Sequence, residues 1–313
     1  MAHTPRHLRV GTRGSPMALW QANWVADSLR TQHPGLTTEI VIIRTTGDRN
    51  RQDPLPTIGG KGVFVKEIED ALLQQSIDLA VHSMKDVPTT LPPGLHLSAI
   101  PRRDDVRDAY VGRLAHRLCE APAAWRLGTS SLRRQAQLLA LRPDLQMQDI
   151  RGNVDTRLRK MRQGDVDGIV VSAAGMCRLG LQQDITEYLP VEVMLPAVGQ
   201  GALGIETRVG DWLEALLQPL HDPATAAAIA AERAFLFHLG GGCTVPIAAL
   251  AECQGEAIHL RGLVSTPDGT QSLRQDIRGA VSQAAHLGER LAAQMRASGA
   301  AHLLAFTAPE RPA

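Results

Sequence analysis

The chain has 313 residues, enough for two or three domains. Its 44% hydrophobic and 21% charged residues fit an ordinary globular protein, and ten aromatics leave the cores to Leu, Val, Ile and Ala. The formal net charge of +1 selects no class of partner, and no run approaches the roughly 18 apolar residues of a membrane span. The four cysteines, Cys119, Cys177, Cys243 and Cys253, form no CxxC pair and no metal-ligand spacing. The start, MAHTPRHLRV, lacks the apolar stretch of a secretory signal, so the expectation is a cytoplasmic protein with free thiols.

In chain order, 8-LRVGT-12 predicts a strand. Ser15 and Pro16 then form an N-cap and a first helical position, with Ala18, Ala22, Val25 and Leu29 at helical spacing. A second strand is predicted over 39–45. The polar, Gly- and Pro-rich 47–62 follows as a loop long enough to be a lid or binding loop. A helix over 63–75 and a strand over 77–83 complete an alternation that favours a mostly parallel, doubly wound sheet. From residue 126 the pattern returns: 126-RLGTSSLRRQAQLLAL-141 echoes 9-RVGTRGSPMALW-20, and 165-DVDGIVVSAAG-175 echoes 76-SIDLAVHSMKD-86. Two similar α/β lobes are therefore expected, joined by linkers near 101-PRRDD-105 and 195-LPAVGQGALGIE-206. Facing each other, they would make a cleft at the C-terminal ends of their strands. Asp222-Pro223 opens a helix that the glycines at 240–242 end. Short strands near 247–253, 257–265 and 271–278, with a Pro267-Asp268-Gly269 turn, precede a helix over 281–297. The expected class is α/β, two lobes with doubly wound mixed sheets, plus a small α+β C-terminal domain with a three-stranded antiparallel sheet.

Four constellations could carry chemistry. Residues 126–162 hold nine Arg or Lys against three Asp. Arg133 and Arg134 follow Thr129-Ser130-Ser131 at a helix start, where free N–H groups and the helix dipole favour anions. Arg151 precedes Gly152-Asn153 at a strand end, and Arg13 with Ser15 repeats the arrangement in the first lobe. Arginine captures carboxylate or phosphate bidentately, whereas Arg159, Lys160 and Arg162 fit a solvated face. In 82-HSMKDVP-88, Asp86 lies beside Ser83 and Lys85 at a strand end. It can stabilise a cation or move protons, or simply cap a helix; His82 fits a packed strand position. The stretch 59-GGKG-62 is no nucleotide-binding loop, because Gly62 stands where Ser or Thr must follow Lys61. Lys61 reads instead as an anion contact on a lid. Cys243 follows three glycines. It is either a small buried hydrophobe or an accessible attachment point; with no His fixed as its base, a Cys-His hydrolase is disfavoured. A two-lobed binder of anions has no need of such a Cys on a third domain. Nucleic-acid binding through the basic segment lacks both aromatics and a known module.

Together, 9-RVGTRGSPMALWQ-21, 45-TTGDR-49, 59-GGKGVFVKEIE-69, 78-DLAVHSMKDVPT-89, 127-LGTSSLRRQAQL-138, 150-IRGNVDTRL-158, 172-SAAGMCRLGL-181, 196-PAVGQGALGIE-206 and 240-GGGCTVPI-247 resemble one family, porphobilinogen deaminase (hydroxymethylbilane synthase). The resemblance implies three domains: 1–101 with 202–219, 106–196, and 222–313. The first two would be like the lobes of periplasmic binding proteins. The implied reaction joins four porphobilinogen molecules head to tail with loss of ammonia, then frees hydroxymethylbilane by hydrolysis. It implies a dipyrromethane cofactor held as a thioether on Cys243. Asp86 would be catalytic. Carboxylates of cofactor and substrate would be met by Arg13, Ser15, Lys61, Ser83, Lys85, Thr129, Ser130, Ser131, Arg133, Arg134, Arg151, Gly152, Asn153, Arg157, Arg178 and Gln200. It further implies a monomer without metal that passes its product to uroporphyrinogen-III synthase. The departures are Met17 for a usual Leu, Gly240 for a frequent acidic residue, and Cys177 for a frequent Lys, which removes one cationic contact.

Overall fold

The computed structural model describes residues 7–49, 64–240 and 245–305. The chain divides into two compact units, Met1–Asp104 with Ala202–Ala226, and Asp105–Gly201 with Ala227–Ala313. No helix among the described residues is long and apolar enough to cross a membrane.

The first unit contains β1 (His7–Thr12), α1 (Pro16–Gln32), β2 (Thr37–Ile42), α2 (Thr46–Arg49), α3 (Lys66–Leu73), β3 (Leu79–Ser83) and β4 (Leu95–Ala99). The second continues with β5 (Asp108–Gly112), β6 (Arg126–Gly128), α4 (Leu132–Leu141), β7 (Gln146–Gln148), α5 (Val154–Gln163), β8 (Gly168–Ser172), α6 (Ala173–Arg178) and β9 (Glu187–Leu189). The chain then returns to the first unit as β10 (Leu203–Arg208) and α7 (Leu213–Leu217). The division falls within α8 (Pro223–Leu239), and the second unit ends with β11 (Ile247–Gln254), β12 (Ala257–Ser265), β13 (Ser272–Ala280), α9 (Ala284–Ala297) and α10 (Ala300–Ala305).

The first sheet runs β2-β1-β3-β10-β4. β1 pairs in parallel with β2 and β3, while β10 is antiparallel to β3 and β4. Alternation along the strands sends Leu8, Val10, Leu79 and Val81 to one face, where Ala22, Val25 and Leu29 of α1 cover them. Ala80 goes to the other face, under Ile68 and Leu72 of α3. The predicted cap holds: Ser15 Oγ accepts the Ala18 N–H at 3.2 Å, with Pro16 next to it.

The second sheet runs β7-β6-β8-β5-β9 and repeats the same plan. A central strand has parallel neighbours on both sides, and the next strand out is antiparallel. Leu158 and Met161 of α5 cover one face, and Leu138 of α4 joins the cluster on the other. The repeat extends to single atoms. Arg9 of β1 grips Asp78 through its backbone N–H, Nε and Nη2, at 2.7, 3.1 and 2.7 Å. Arg126 of β6 grips Asp167 by the same three groups, at 3.2, 2.9 and 2.7 Å. Each Arg also donates to the carbonyl three residues before its Asp, that of Gln75 or Gly164. Both of those residues have positive φ.

A third sheet, β11-β12-β13, is antiparallel throughout. Phe235 of α8 and Leu287, Leu291 and Met295 of α9 pack on Leu260 and Val264. At the β12–β13 turn, Gly269 has a φ of +72°, and a Cβ there would collide with Ala136 O and Ala140 N of α4. Only glycine lets the hairpin tip meet that helix.

Several predicted boundaries shift. The second strand lies at Thr37–Ile42 rather than 39–45, where pairing with β1 ends. The final helix is preceded by a 3₁₀ turn at Val281–Gln283. The last third of the predicted linker 195–206 belongs to β10, an inserted strand, and β4, β5, β7 and β9 carry no clear periodicity because they are short. Both sheets are mixed and mostly parallel, as expected: a single strand in each, β10 or β5, runs against the other four.

His82 is a packed strand residue, as its position suggests: its Nε2 lies 2.9 Å from Glu206 Oε2, both groups buried. Glu69 of α3 is buried with them. Burial, then the charge of Glu206, pushes Glu69 up to about 7, with His82 pulling the other way. A carboxyl raised in the folded state stabilises it below the ordinary value of 4.5 and loses that contribution as pH rises through about 7. Replacing Glu69 by Gln should therefore flatten the dependence of Tm on pH between about 5 and 8. The variant should be more stable than its parent at pH 8; an unchanged slope in thermal unfolding would count against this assignment.

Candidate active site

The side chains expected to form the site collect near the C-terminal ends of the parallel strands in each unit. In the first unit, β3 ends in a 3₁₀ turn, Met84–Asp86. The turn is fixed by Met84 N–H to Ala202 O at 3.0 Å and Val87 N–H to Met84 O at 3.2 Å. Asp86 is half-buried, and among the described residues its carboxylate makes no hydrogen bond or ion pair. Ser83 Oγ accepts from Gln21 Nε2 at 2.8 Å, and Lys85 is half-buried beside it. Arg13 pairs with Asp48 through Nε at 3.2 Å and Nη2 at 2.6 Å, and its guanidinium lies 4.1 Å from the centre of the Phe64 ring. Although burial opposes it, Arg13, helped by Thr45, holds Asp48 below the usual carboxylate range.

The second unit holds the cations. Ser131 caps α4 by accepting from Arg134 N–H, and the helix start presents Arg133 and Arg134 to Asp108 at the first residue of β5. Asp108 has no exposed surface. It accepts from Arg133 Nη1 at 2.7 Å, from Arg134 Nε and Nη2 at 3.0 and 2.8 Å, and from Gln200 Nε2 at 2.9 Å. Against the effect of burial, the two guanidinium charges hold it well below the usual carboxylate range. Arg134 Nη1 also donates to Val170 O at 3.1 Å. Arg133 Nε is buried with no hydrogen-bond partner among the described residues.

Thr129 is buried, and its Oγ1 accepts from Ser131 N–H at 3.2 Å; Ser130 Oγ donates to Ile150 O at 2.6 Å. Arg151 meets Asp149 at 3.2 Å. Gly152 has a φ of +111°, and a Cβ there would come within 2.6 Å of Thr156, so the turn into α5 requires glycine. Asn153 is the exposed N-cap of α5, and Arg157 Nε donates to Gly152 O at 2.9 Å. Burial, then the charge of Arg134, lowers Arg157 to about 10; Arg151 adds to this and Asp149 opposes it. Arg178, at the end of α6, is buried and donates to Gly201 O at 2.7 Å. Lys61 and Cys243 lie outside the described residues. Cys177 is exposed, so the position of the frequent Lys faces solvent here.

Sequence reasoning assigned no role to Asp108, Asp48, Phe64, Gln21 or Gln137. Asp48 and Phe64 sit inside quoted motifs. Gln21 and Gln137 each lie six residues after their caps, Ser15 and Ser131, a spacing the internal echo contains. Asp108 carries no local signal, since only the pairing of β5 with β8 brings it to the arginines.

The donor set fits a polycarboxylate. The charges of Arg134 and Arg151 add to burial in lowering Arg157, and an added anion would offset them. Dipyrromethane has two pyrrole rings, each with an acetate and a propionate, so its charge suits this cluster.

These features define a class: a two-lobed α/β protein with cations concentrated at the strand ends of one lobe and, at a strand end of the other, the carboxylate of Asp86, unpaired among the described residues. Comparison with known proteins gives the family. Residues 8–214 match the porphobilinogen deaminase, dipyromethane cofactor binding domain, and residues 226–297 match the porphobilinogen deaminase, C-terminal domain. A porphobilinogen deaminase of Syntrophotalea carbinolica is 54% identical over 95% of each chain. One of Geobacter metallireducens is 50% identical over 96% of this chain and 95% of its own. A periplasmic substrate-binding protein of an ABC transporter from Coxiella burnetii overlays with a TM-score of 0.43 at 15% identity, over 72% of this chain and 96% of its own. The chain belongs to the porphobilinogen deaminase family. It is a transferase of tetrapyrrole and heme biosynthesis: it joins four porphobilinogen molecules head to tail, releasing ammonia, and frees hydroxymethylbilane by hydrolysis. Its cofactor is dipyrromethane.

Because Asp108 balances two buried guanidinium groups, Asp108→Asn should destabilise the protein by about 3–5 kcal/mol, the cost of leaving buried charge unpaired. Urea unfolding measures this, and a loss under about 1 kcal/mol would show that the arginines find other partners.

Proposed function

We propose that Asp86 is the catalytic carboxylate of this transferase and that Cys243 carries the cofactor as a thioether. The observation that supports Asp86 most is its unpaired, half-buried carboxylate on a turn braced by backbone hydrogen bonds. Both oxygens remain available to accept pyrrole N–H groups. As the aminomethyl C–N bond of porphobilinogen breaks and nitrogen leaves as ammonia, positive charge develops on the pyrrole, and a fixed carboxylate stabilises it. Proton transfer is the second role of Asp86. When bound, the cofactor supplies a free pyrrole α-carbon as the first nucleophile.

Arg133, Arg134, Arg151, Arg157 and Arg178, with Arg13, Lys61 and Lys85, hold acetate and propionate groups. The hydroxyls of Ser15, Ser83, Thr129, Ser130 and Ser131 support them, as do Gly152, Asn153 and Gln200. Arginine suits this task because its planar fork matches a carboxylate. In this reading Arg13 and the Arg133–Arg134 pair act from internal ion pairs that hold their guanidinium planes still before ligand arrives. The three-domain division, lobes like those of periplasmic binding proteins, a cytoplasmic location, a monomeric state and hand-off of product to uroporphyrinogen-III synthase belong to the same proposal. Family membership supports them.

Asp86→Asn should lower kcat by about 10²–10⁴ while porphobilinogen still binds. A parental rate, followed by porphyrin formation after oxidation, would remove Asp86 from the mechanism. In intact-mass measurement the holoenzyme should exceed its sequence mass by one dipyrromethane, and Cys243→Ser should lose that excess; a retained excess would place the attachment elsewhere.

A further inference from the structure

Glu232 lies in the second half of α8 with no exposed surface. Its Oε2 accepts the Gly199 N–H at 2.7 Å, and its Oε1 accepts the Ala251 N–H at 2.9 Å. One buried carboxylate thus joins α8 both to β11 and to the segment 195–201. A carboxylate removed from water is costly unless its oxygens are satisfied, so these two contacts hold the three elements in one geometry.

The segment 195–201 in turn touches the cationic groups at successive positions. Arg133 Nη1 donates to Leu195 O at 2.8 Å. Gln137 clasps the same residue, donating to Leu195 O at 3.0 Å and accepting its N–H at 2.8 Å. Gln200 donates to Asp108, the shared partner of Arg133 and Arg134, and Gly201 O accepts from Arg178. Gly199, the residue gripped by Glu232, stands immediately before those last two contacts. In sequence, α8 leads on to Cys243.

We propose that Glu232 is a positioning residue for pyrrole carboxylates: by fixing the segment 195–201, it sets where the guanidinium groups of Arg133, Arg134 and Arg178 point. This rests on the reading that those arginines bind carboxylates. Glu232 acts through backbone and through Gln200 and Asp108, not by contact with substrate.

The test compares the holoenzyme with Glu232→Gln, Arg134→Lys and the double variant. The measurements are kcat and KM for porphobilinogen, intact mass for cofactor loading, and amide hydrogen exchange over 195–201. Glu232→Gln should raise KM about tenfold, as for loss of one hydrogen bond to a charged group, with kcat within about twofold. It should also lower the loaded fraction and speed exchange at 195–201. The double variant should have a KM within about twofold of Arg134→Lys alone, because both changes act on the same group. Faster exchange with parental KM and loading would make Glu232 merely structural and overturn the proposal. Multiplying effects in the double variant would overturn it too, as would a raised KM with unchanged exchange. A parental KM in Arg134→Lys would instead remove the carboxylate-binding role of Arg134, whatever Glu232 does. If Glu232→Gln fails to fold, Glu232→Asp keeps the charge, shortens the reach and is judged by the same three measurements.

Discussion

Two guanidinium groups share one carboxylate inside the second lobe, and much of the structure follows from that unequal sharing. Asp108 cannot be ionised without exposure unless strong cationic partners compensate for lost water. Arg133 and Arg134 do so, but only if α4 begins at Ser131, β5 lies beside β8, and the chain passes over them at 195–201. The ratio is two cations to one anion, with Arg151 and Arg157 adding more positive charge nearby. A fully neutralised cluster would have little attraction for a polycarboxylate. This one is held rigid by its internal anion and still carries an excess of charge.

The two lobes show where that specialisation arose. At the N-terminal ends of their sheets they keep the same clamp, Arg9 on Asp78 and Arg126 on Asp167. At the C-terminal ends they differ. Two and three residues after its cap, α1 carries Met17 and Ala18, whereas α4 carries Arg133 and Arg134. In the first lobe the end of β3 supplies Asp86; in the second the corresponding turn after β8 reads Ala173-Ala174-Gly175. One scaffold thus presents an unpaired carboxylate in one copy and a cation cluster in the other. The conserved clamp lies on the edge that stabilises, and the divergent residues lie on the edge where ligands bind in such sheets.

The fold was legible wherever local periodicity and caps agreed. β1 with α1, and β6 with α4, show the run of an apolar strand, a Ser cap and helical spacing, and each formed close to its predicted position. Asp86 and the arginines stood out because they sit at strand ends and helix caps, where side chains escape the core. Asp48 and Gln137 were hidden because their partners, Arg13 and Leu195, are 35 and 58 residues away. Glu232 sits in a helix whose Ala-rich sequence resembles simple core packing, so its role depends on contacts with Gly199 and Ala251.

What this sequence determined by itself was chemistry and local form. Residue type sets which groups can bind carboxylates or stabilise a cation, and capping and periodicity act within one or two turns of the chain. Tertiary structure decided which of those groups stand free and which are balanced. Whether Arg133 faces a ligand alone or leans on Asp108, and whether Leu203–Arg208 is a linker or a strand in the first sheet, turns on pairings between distant segments. Such pairings are settled by burial and by the need to satisfy every buried charge and backbone group, and no short window of sequence contains that accounting.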